Sequence, residues 1–233
     1  MEKLPWNAKI FNPKTITRNI LVIAPSGRGK SYAMRNLDPK TTLILGLENK
    51  PLPFRDASKF KKYLTLDENS PLELFKILKH FAKDSTIETI VIDSFSEWSD
   101  HLLNHMRATE KGHAVYGKYA EYVEILFRLL KKMSDSRKLN VIITVHEDLI
   151  MNSDGEMVKS ALVKGQALRG QLERHFTIVL YGVVTRDKGK NEYWFQTQSD
   201  GMMSAKSPEG MFDSLLIEND YQLVIDAMDE YWK

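Results

Sequence analysis

The chain of 233 residues contains no cysteine, which excludes a disulfide scaffold, a cysteine-ligated zinc site, an iron–sulfur cluster and a thiol nucleophile. No apolar run approaches the roughly 20 residues that a membrane-spanning helix needs. The charges of the N-terminus are not followed by the apolar segment of a signal peptide. Neither sign of charge dominates, because 33 Lys and Arg residues stand against 31 Asp and Glu residues. These absences predict a protein of the reducing cytoplasm that has no membrane partner and is not a polycation.

Short apolar runs alternate with amphipathic stretches along the chain, and this alternation predicts an α/β fold with a mostly parallel sheet flanked by helices. The predicted strands are 19–23, 41–45, 89–92 and 140–145, and the predicted helices are 30–37, 72–82, 119–133 and 221–232. Residues 176–184 and 192–197 flank a polar turn, which predicts a C-terminal antiparallel hairpin. The predicted division of the chain is an N-terminal arm (1–18), a core (19–212) and a C-terminal acidic helix packed on the core (213–233).

The first predicted strand runs into APSGRGKS (24–31), which matches the phosphate-binding Walker A pattern with Ala24 in place of its first glycine. Two glycines allow the backbone to turn its N–H groups around a phosphate, and the start of the following helix adds partial positive charge. Lys30 is expected to reach the terminal phosphates of ATP, and Ser31 to bind Mg²⁺. The residues predicted to contact the nucleotide are Pro25, Ser26, Gly27, Arg28, Gly29, Lys30, Ser31 and Tyr32.

A second motif ends the apolar strand TIVI with Asp93, which is the Walker B arrangement and predicts that Asp93 holds Mg²⁺ together with Ser31. Hydrolysis also needs a carboxylate that activates the attacking water. Ser94 occupies the position directly after Asp93, so this carboxylate must come from elsewhere. Glu48, just after the second strand, is favoured, and Glu97, one helical turn after Asp93, remains the alternative.

The strand NVIITV ends at His146, where a polar side chain again follows a buried strand. We expect His146 to sense the γ-phosphate of ATP and to pass its presence to the following loop. His146-Glu147 is not a zinc motif, because no second histidine stands at helical spacing.

The order of these motifs resembles the RecA-like P-loop ATPases, and specifically a family of phage-encoded AAA-type nucleotide-binding proteins linked to single-strand annealing and recombination. The resemblance rests on APSGRGKS, LGLE, VIDS, TVHE, VKGQALRGQLERHFTIVLYG and FQT with AKSPEGMF, over roughly residues 19–212. It implies a RecA-like core that hydrolyses ATP with Mg²⁺, uses Glu48 as its catalytic carboxylate and forms a homo-oligomer with ATP at the subunit interface. Lys206 is then expected to contact the γ-phosphate in a neighbouring subunit.

The resemblance also implies a role in phage DNA recombination or replication, with single-stranded DNA as partner and the host-cell cytoplasm as location. Loops after the third and fourth motif strands, at about 105–118 and 147–169, are expected to bind the DNA through basic and stacking side chains. The candidates are Arg107, Lys111, Tyr116, Lys118, Lys159, Lys164 and Arg169. A single-strand-binding or annealing protein is a further expected partner. In the arm, Trp6 or Phe11 belongs either to the core or to a contact with a neighbouring subunit.

Other functions use a phosphate loop and remain open at this point. One is a motor or loader ATPase that acts on duplex DNA or on a protein. Another is a small-molecule or nucleotide kinase, although the sequence lacks the arginine-rich lid that such kinases carry. A third is a nucleotide-regulated interaction module without turnover.

Overall fold

The computed structural model describes residues 18–152 and 154–233, so the predicted arm with Trp6 and Phe11 lies outside the described residues except for Arg18. The strands of the described part are β1 (Asn19–Ile23), β2 (Thr42–Gly46), β3 (Tyr63–Leu64), β4 (Thr89–Asp93), β5 (Asn140–Val145), β6 (Glu147–Met151), β7 (Met157–Ala161), β8 (Ile178–Asp187), β9 (Lys190–Gln196) and β10 (Leu216–Glu218). The α-helices are α1 (Glu73–Phe81), α2 (Phe95–Thr109), α3 (Ala114–Ser136) and α4 (Tyr221–Tyr231). None of these helices combines the length and the apolar character needed to cross a bilayer.

Eight strands form one sheet in the order β10-β9-β8-β1-β5-β4-β2-β3, and β6 and β7 form a separate antiparallel pair. Neighbouring strands from β8 to β3 are parallel, whereas β9 is antiparallel to both β8 and β10. β1 is central, with Ile20 opposite Ile142 of β5 on one side and Ile178 of β8 on the other. Because parallel strands end at the same edge, the segments that follow β1, β2, β4 and β5 meet there.

Both faces of the sheet are covered, as the alternating side chains of β1 show. Leu21 and Ile23 pack with α1, α2 and α3 on one face. Ile20 and Val22 pack with α4 on the other face. All four side chains are fully buried, and burying one such aliphatic side chain is worth about 1.5–3 kcal/mol relative to leaving it exposed. The strands are therefore held rigidly, and their ends can fix the position of polar groups.

The predicted α/β class, the mostly parallel sheet and the C-terminal antiparallel strands are confirmed. β1 and β5 have the predicted limits. The sheet also gains β10, which follows residue 212 and pairs with β9. α2 was not predicted, although Phe95, Trp98, Leu102 and Met106 recur at helical spacing and are all buried.

The helix predicted at 30–37 is wrong. This segment contains a single 3₁₀ turn at Tyr32–Met34. The N–H groups of Met34, Arg35 and Leu37 donate to carbonyl oxygens three residues back, and only that of Ala33 reaches four residues back, to Gly29. The side chain of Arg35 is drawn toward the C-terminal segment, where it pairs with Glu218 at 2.7 Å. Asp38 precedes Pro39, which disfavours helical conformation at residue 38. Because one turn has almost no helix dipole, phosphate binding here must rest on loop amides and Lys30.

The two predicted DNA-binding loops are largely secondary structure, which corrects that expectation. The first, at 105–118, covers the end of α2 and the start of α3. The second, at 147–169, begins with the β6–β7 hairpin. The hairpin escaped prediction because the sequences EDLIM and MVKSA mix charged and apolar residues without a regular alternation.

Candidate active site

Four parallel strands deliver polar side chains to one edge of the sheet. The phosphate loop follows β1, Glu48 lies just beyond β2, Asp93 ends β4 and His146 follows β5. Since β5 lies between β1 and β4 in the sheet, His146 stands between the phosphate loop and Asp93. The structure therefore brings together the predicted residues Lys30, Ser31, Glu48, Asp93 and His146.

The phosphate loop depends on glycine in two different ways. Gly27 and Gly29 have φ angles of +75° and +84°, a region that side-chain-bearing residues rarely adopt. Gly182 of β8 allows the loop to lie directly on the sheet. A Cβ at position 182 would stand 2.7 Å from the Cβ of Ala24 and 3.2 Å from the carbonyl oxygen of Arg28. The loop conformation is thus set both by its own glycines and by a glycine of the neighbouring strand.

Lys30 is buried and folded back onto the loop that carries it. Its ammonium group donates to the carbonyl oxygens of Ala24 and Pro25 at 2.7 and 2.9 Å, and it lies 3.3 Å from Nδ1 of His146. Burial lowers the pKa of Lys30 from 10.5 to about 8, against the opposing effect of the nearby charges of Asp93 and Glu48. Because an ammonium group has three hydrogens, these three contacts use all its donors.

His146 joins Lys30 to Glu48. Its Nε2 lies 3.2 Å from Oε1 of Glu48. Since Lys30 donates to Nδ1, the neutral ring carries its hydrogen on Nε2 and donates to the carboxylate. The backbone N–H of His146 donates to Oγ of the buried Ser96 at 2.9 Å, which holds the residue in place. The result is a continuous hydrogen-bonded line from the phosphate-loop lysine to the candidate catalytic carboxylate.

Glu48, and not Glu97, is the carboxylate that faces the phosphate loop. Burial raises the pKa of Glu48, but the hydrogen bond and ion pair with Lys50, together with the hydrogen bond from His146, outweigh burial, so the pKa lies below the ordinary value. The Lys50 side chain is 74% exposed, so its 2.7 Å ion pair with Glu48 is screened by solvent. Glu97 instead pairs with His101 on α2 at 3.2 Å. It does not line the cavity beside the phosphate loop, whereas Glu48 does.

Ser31 and Asp93 fit a Mg²⁺ ion. Oγ of Ser31 donates to Oδ2 of Asp93 at 2.6 Å, so two oxygen ligands from different elements already lie side by side. Thr144 of β5 donates to Oδ1 of Asp93 at 2.6 Å and fixes the orientation of the carboxylate. In the described residues no three acidic or histidine side chains cluster into an all-protein metal cage. A hydroxyl and one carboxylate beside a phosphate site is instead the donor set that Mg²⁺ shares with nucleotide phosphates and water.

A cavity of about 410 Å³ lies against the phosphate loop. Its lining residues are Ser26, Gly27, Gly29, Lys30, Ser31, Tyr32, Glu48, Pro53, His146 and Tyr193. Tyr32 and Tyr193 form an aromatic end, with ring centroids 6.4 Å apart. The Arg35 guanidinium lies 4.5 Å over the Tyr32 ring as a cation–π contact. Sequence analysis missed Tyr193 and Pro53, because neither belongs to a motif, and it missed Thr144, which lies two residues before His146 on the same strand.

The C-terminal segment supports the phosphate loop from behind. The hydroxyl of Tyr221 donates to the carbonyl oxygen of Lys30 at 2.8 Å, and burial raises the pKa of this tyrosine well above its ordinary value. Asn219 lies against Gly29, where an added Cβ would stand 2.9 Å from Oδ1 of Asn219. Asn219 is 1% exposed, and within the described residues neither of its amide atoms has a hydrogen-bond partner. An unsatisfied buried polar group costs about 1–3 kcal/mol.

Among the predicted nucleotide-site residues, Pro25, Arg28 and Lys206 do not line the cavity within the protomer, and Asp93 is joined to it through Ser31. The backbone of Lys206 pairs with Val179 of β8 through hydrogen bonds of 2.8 and 2.9 Å. A role for Lys206 in a neighbouring subunit stays a prediction.

The DNA-binding candidates fall into two groups by their partners. Lys159, Lys164 and Arg169 form ion pairs with Glu147, Asp100 and Asp148, at 3.5, 3.5 and 2.8 Å. Arg107, Lys111, Tyr116 and Lys118 are exposed around the connection between α2 and α3, where Lys118 pairs with Glu121 at 3.3 Å. Tyr116 is 50% exposed. The two predicted segments meet, since a Cβ on Gly165 would lie 3.9 Å from the ring of Tyr116.

The chain is similar to known P-loop proteins in sequence and in fold. Residues 16–208 match the family model described as AAA domain (AAA_24). A solved structure with a similar fold is the KaiC-like protein PH0186 from the hyperthermophilic archaeon Pyrococcus horikoshii OT3, at 15% sequence identity and a TM-score of 0.52. The match covers 83% of this chain and 80% of that one, and at this identity it shows a shared RecA/KaiC-like fold alone. No curated protein matches the chain.

Proposed function

Because this chain belongs to the AAA domain family of P-loop NTPases, we propose that it hydrolyses ATP with Mg²⁺ and that it couples hydrolysis to assembly on single-stranded DNA. The observation that carries the ATPase proposal is the hydrogen-bonded line Lys30–His146–Glu48, which lies next to the Ser31–Asp93 pair at the phosphate loop. One edge of the sheet thus carries the groups that ATP hydrolysis needs. Lys30 is a cation for the terminal phosphates, Ser31 and Asp93 offer oxygens to Mg²⁺, and Glu48 is a carboxylate for the attacking water.

Each residue of this set has a separate task. Lys30 exchanges its carbonyl partners for phosphate oxygens when the nucleotide enters, since its three donors are occupied only by groups of its own loop and by His146. Glu48 orients the attacking water and accepts its proton, and its lowered pKa keeps it ionised before the reaction. Mg²⁺ held by Ser31 and Asp93 supplies charge stabilisation at the phosphoryl oxygens.

His146 is proposed to report the γ-phosphate to the rest of the chain. When Lys30 turns toward phosphate, Nδ1 of His146 loses its donor, and the ring becomes free to change its hydrogen bond with Glu48. The carbonyl oxygen of His146 accepts from Leu162, which directly follows the β6–β7 hairpin. A shift at His146 therefore acts on the base of this hairpin, as expected of a switch with two discrete arrangements.

Single-stranded DNA is proposed as the partner because exposed Arg107 and Lys111 belong to the same segment, where α2 is joined to α3, as Tyr116, whose side chain is half exposed. Cationic groups beside an exposed aromatic ring suit a phosphate backbone with unstacked bases. In this proposal the chain forms a homo-oligomer in which Lys206 completes the ATP site of a neighbour. A single-strand-binding or annealing protein is the proposed protein partner.

The proposal is tested by measuring phosphate release from Mg·ATP with no DNA, with single-stranded DNA and with duplex DNA, at two stated salt concentrations. We expect release that rises with single-stranded DNA and falls in higher salt, because phosphate contacts release counterions. Stimulation by duplex DNA alone would favour a motor or loader. Phosphate transfer to a small acceptor would favour a kinase, and binding without release would favour a regulatory module.

The assembly part needs its own measurement. Gel filtration coupled to light scattering measures the mass with and without a non-hydrolysable ATP analogue. We expect a mass of several chains in the presence of the analogue. Lys206→Ala should retain the assembly and lose hydrolysis. An unchanged monomer mass with analogue and DNA together would reject a site shared between subunits.

A further inference from the structure

The strongest unexplained feature outside the catalytic line is the side chain of Asn219. It lies between β10 and α4, is 1% exposed, and has neither its donor nor its acceptor satisfied within the described residues. Buried amides are nearly always hydrogen-bonded in folded proteins. An orphaned donor and acceptor side by side therefore point to a ligand that supplies both partners.

The position of Asn219 places this amide beside the nucleotide cavity. A Cβ on Gly29 of the phosphate loop would stand 2.9 Å from Oδ1 of Asn219 and 3.0 Å from Cδ1 of Tyr193. Tyr193 itself lines the cavity, so the amide and this cavity-lining ring lie side by side against Gly29. The backbone of Asn219 is fixed, because its N–H donates to the carbonyl oxygen of Tyr193 at 3.2 Å and its own carbonyl oxygen accepts from Arg35 at 2.6 Å.

We propose that Asn219 reads the adenine base of ATP, accepting a hydrogen bond from its 6-amino group and donating one to the adjacent ring nitrogen, while Tyr193 and Tyr32 stack on the base. An asparagine amide and this edge of adenine form a complementary donor–acceptor pair. The two tyrosine rings supply the faces for stacking at the same end of the cavity. This inference rests on the proposed function, since it names the base that accompanies the phosphates at the same site.

Access to the amide requires one local movement. The Tyr193 ring must rotate away from Asn219, and as a half-buried side chain on β9 it can change rotamer without displacing the sheet. The ring then takes up contact with the face of the base. The Arg35 guanidinium lies over the Tyr32 ring, and this cation–π contact keeps Tyr32 in place while Tyr193 rotates.

The test compares three ligands by calorimetry with the full chain: Mg·ATP, the Mg²⁺ complex of purine riboside triphosphate, which lacks the 6-amino group, and Mg·tripolyphosphate, which lacks the base and sugar. We expect the wild-type protein to bind ATP about ten-fold more tightly than purine riboside triphosphate. Asn219→Leu should bind these two within about two-fold of each other and should bind tripolyphosphate like the wild type. Asn104→Leu, an exposed change on α2, is the matched control and should keep the ten-fold preference.

The outcomes separate this inference from the function on which it rests. If Asn219→Leu keeps the preference for the 6-amino group, or the wild type never shows one, the base-reading role is wrong while ATP binding stands. If no ligand binds, the proposed function and this inference fall together. A purely structural role for Asn219 predicts something different: a lower melting temperature and weaker tripolyphosphate binding in Asn219→Leu. We expect neither, because leucine removes an unsatisfied amide.

Discussion

The charged groups at the phosphate-loop edge and those at the proposed DNA surface differ in what they contact. At the edge, Lys30, His146 and Glu48 arrive from different strands and bond to one another around a cavity. At the surface, Lys159 and Arg169 are neutralised by Glu147 and Asp148, which lie within the same hairpin region. Polar side chains that rigid strands place at one sheet edge contact one another and can act on one ligand. A count of basic residues in a segment, by contrast, does not show which of them are free to bind a ligand.

The largest expected effect on ATP hydrolysis comes from a substitution of Glu48 at the phosphate-loop edge. Glu48→Gln removes the group that accepts the proton of water, and we expect the turnover number to fall by about 10²–10⁴-fold. Binding of Mg·ATP should persist, because the glutamine keeps the shape and can still contact His146. Single-turnover hydrolysis and nucleotide affinity, measured on the same preparation, separate the two effects.

Glu97→Gln is the matched control for that change. Glu97 pairs with His101 on α2 at 3.2 Å and does not face the cavity. We expect turnover within about two-fold of the wild type. If instead Glu97→Gln stops hydrolysis while Glu48→Gln does not, the assignment of the carboxylate is reversed.

The second largest effect concerns the buried charge of Lys30. Its pKa falls from 10.5 to about 8 on folding, mainly through burial. Between these values the unfolded chain holds more protons, so the free energy of unfolding rises with pH. From about pH 7.5 to about pH 9.5 the rise due to Lys30 is about 2 kcal/mol.

Lys30→Met lacks this contribution, and the difference between wild type and variant isolates it from other groups that titrate in the same range. Urea unfolding of both proteins at the two pH values, without nucleotide, provides the measurement. Parallel pH dependences for the two proteins would show that the ammonium is not desolvated.

The smallest expected effect is on single-stranded DNA binding, and it tests the proposed DNA surface. Lys111 is exposed near the junction of α2 and α3, whereas Arg169 is engaged by Asp148 at 2.8 Å. Lys111→Gln should weaken single-stranded DNA binding several-fold and reduce the slope of log affinity against log salt by about 0.7. Arg169→Gln should leave that slope unchanged. Fluorescence anisotropy across a salt series distinguishes them, and equal effects of both changes would erase the contrast between paired and exposed cations.

Much of the site follows from the sequence because strand ends are easy to locate in a chain of solidly apolar runs. β1 and β5 begin and end where predicted, so the phosphate loop and His146 are placed at the same sheet edge. Asp93 and Glu48 follow from the same rule. The local sequence pattern does not predict which side chains at those strand ends contact one another. The contact of His146 with both Lys30 and Glu48 depends on the order of strands in the sheet.

The features that the sequence does not predict arise from distant segments. The helix expected at 30–37 is reduced to one turn where Arg35 reaches Glu218. Tyr193 and Asn219 reach the cavity wall through β9 and the segment after β10, and no motif marks either residue. Tertiary contacts of this kind override local propensity, and they become visible only when the fold is known.

The central claim is that the loop around Lys30 binds the terminal phosphates of Mg·ATP. Calorimetric titration of the full chain with Mg·ATP tests it most directly, with Lys30→Met and Glu48→Gln measured alongside. We predict saturable binding by the wild type and by Glu48→Gln, and at least about 100-fold weaker binding by Lys30→Met, in keeping with the loss of a buried charge-assisted contact. No saturable heat with the wild type, or equal affinity in Lys30→Met, would contradict the account.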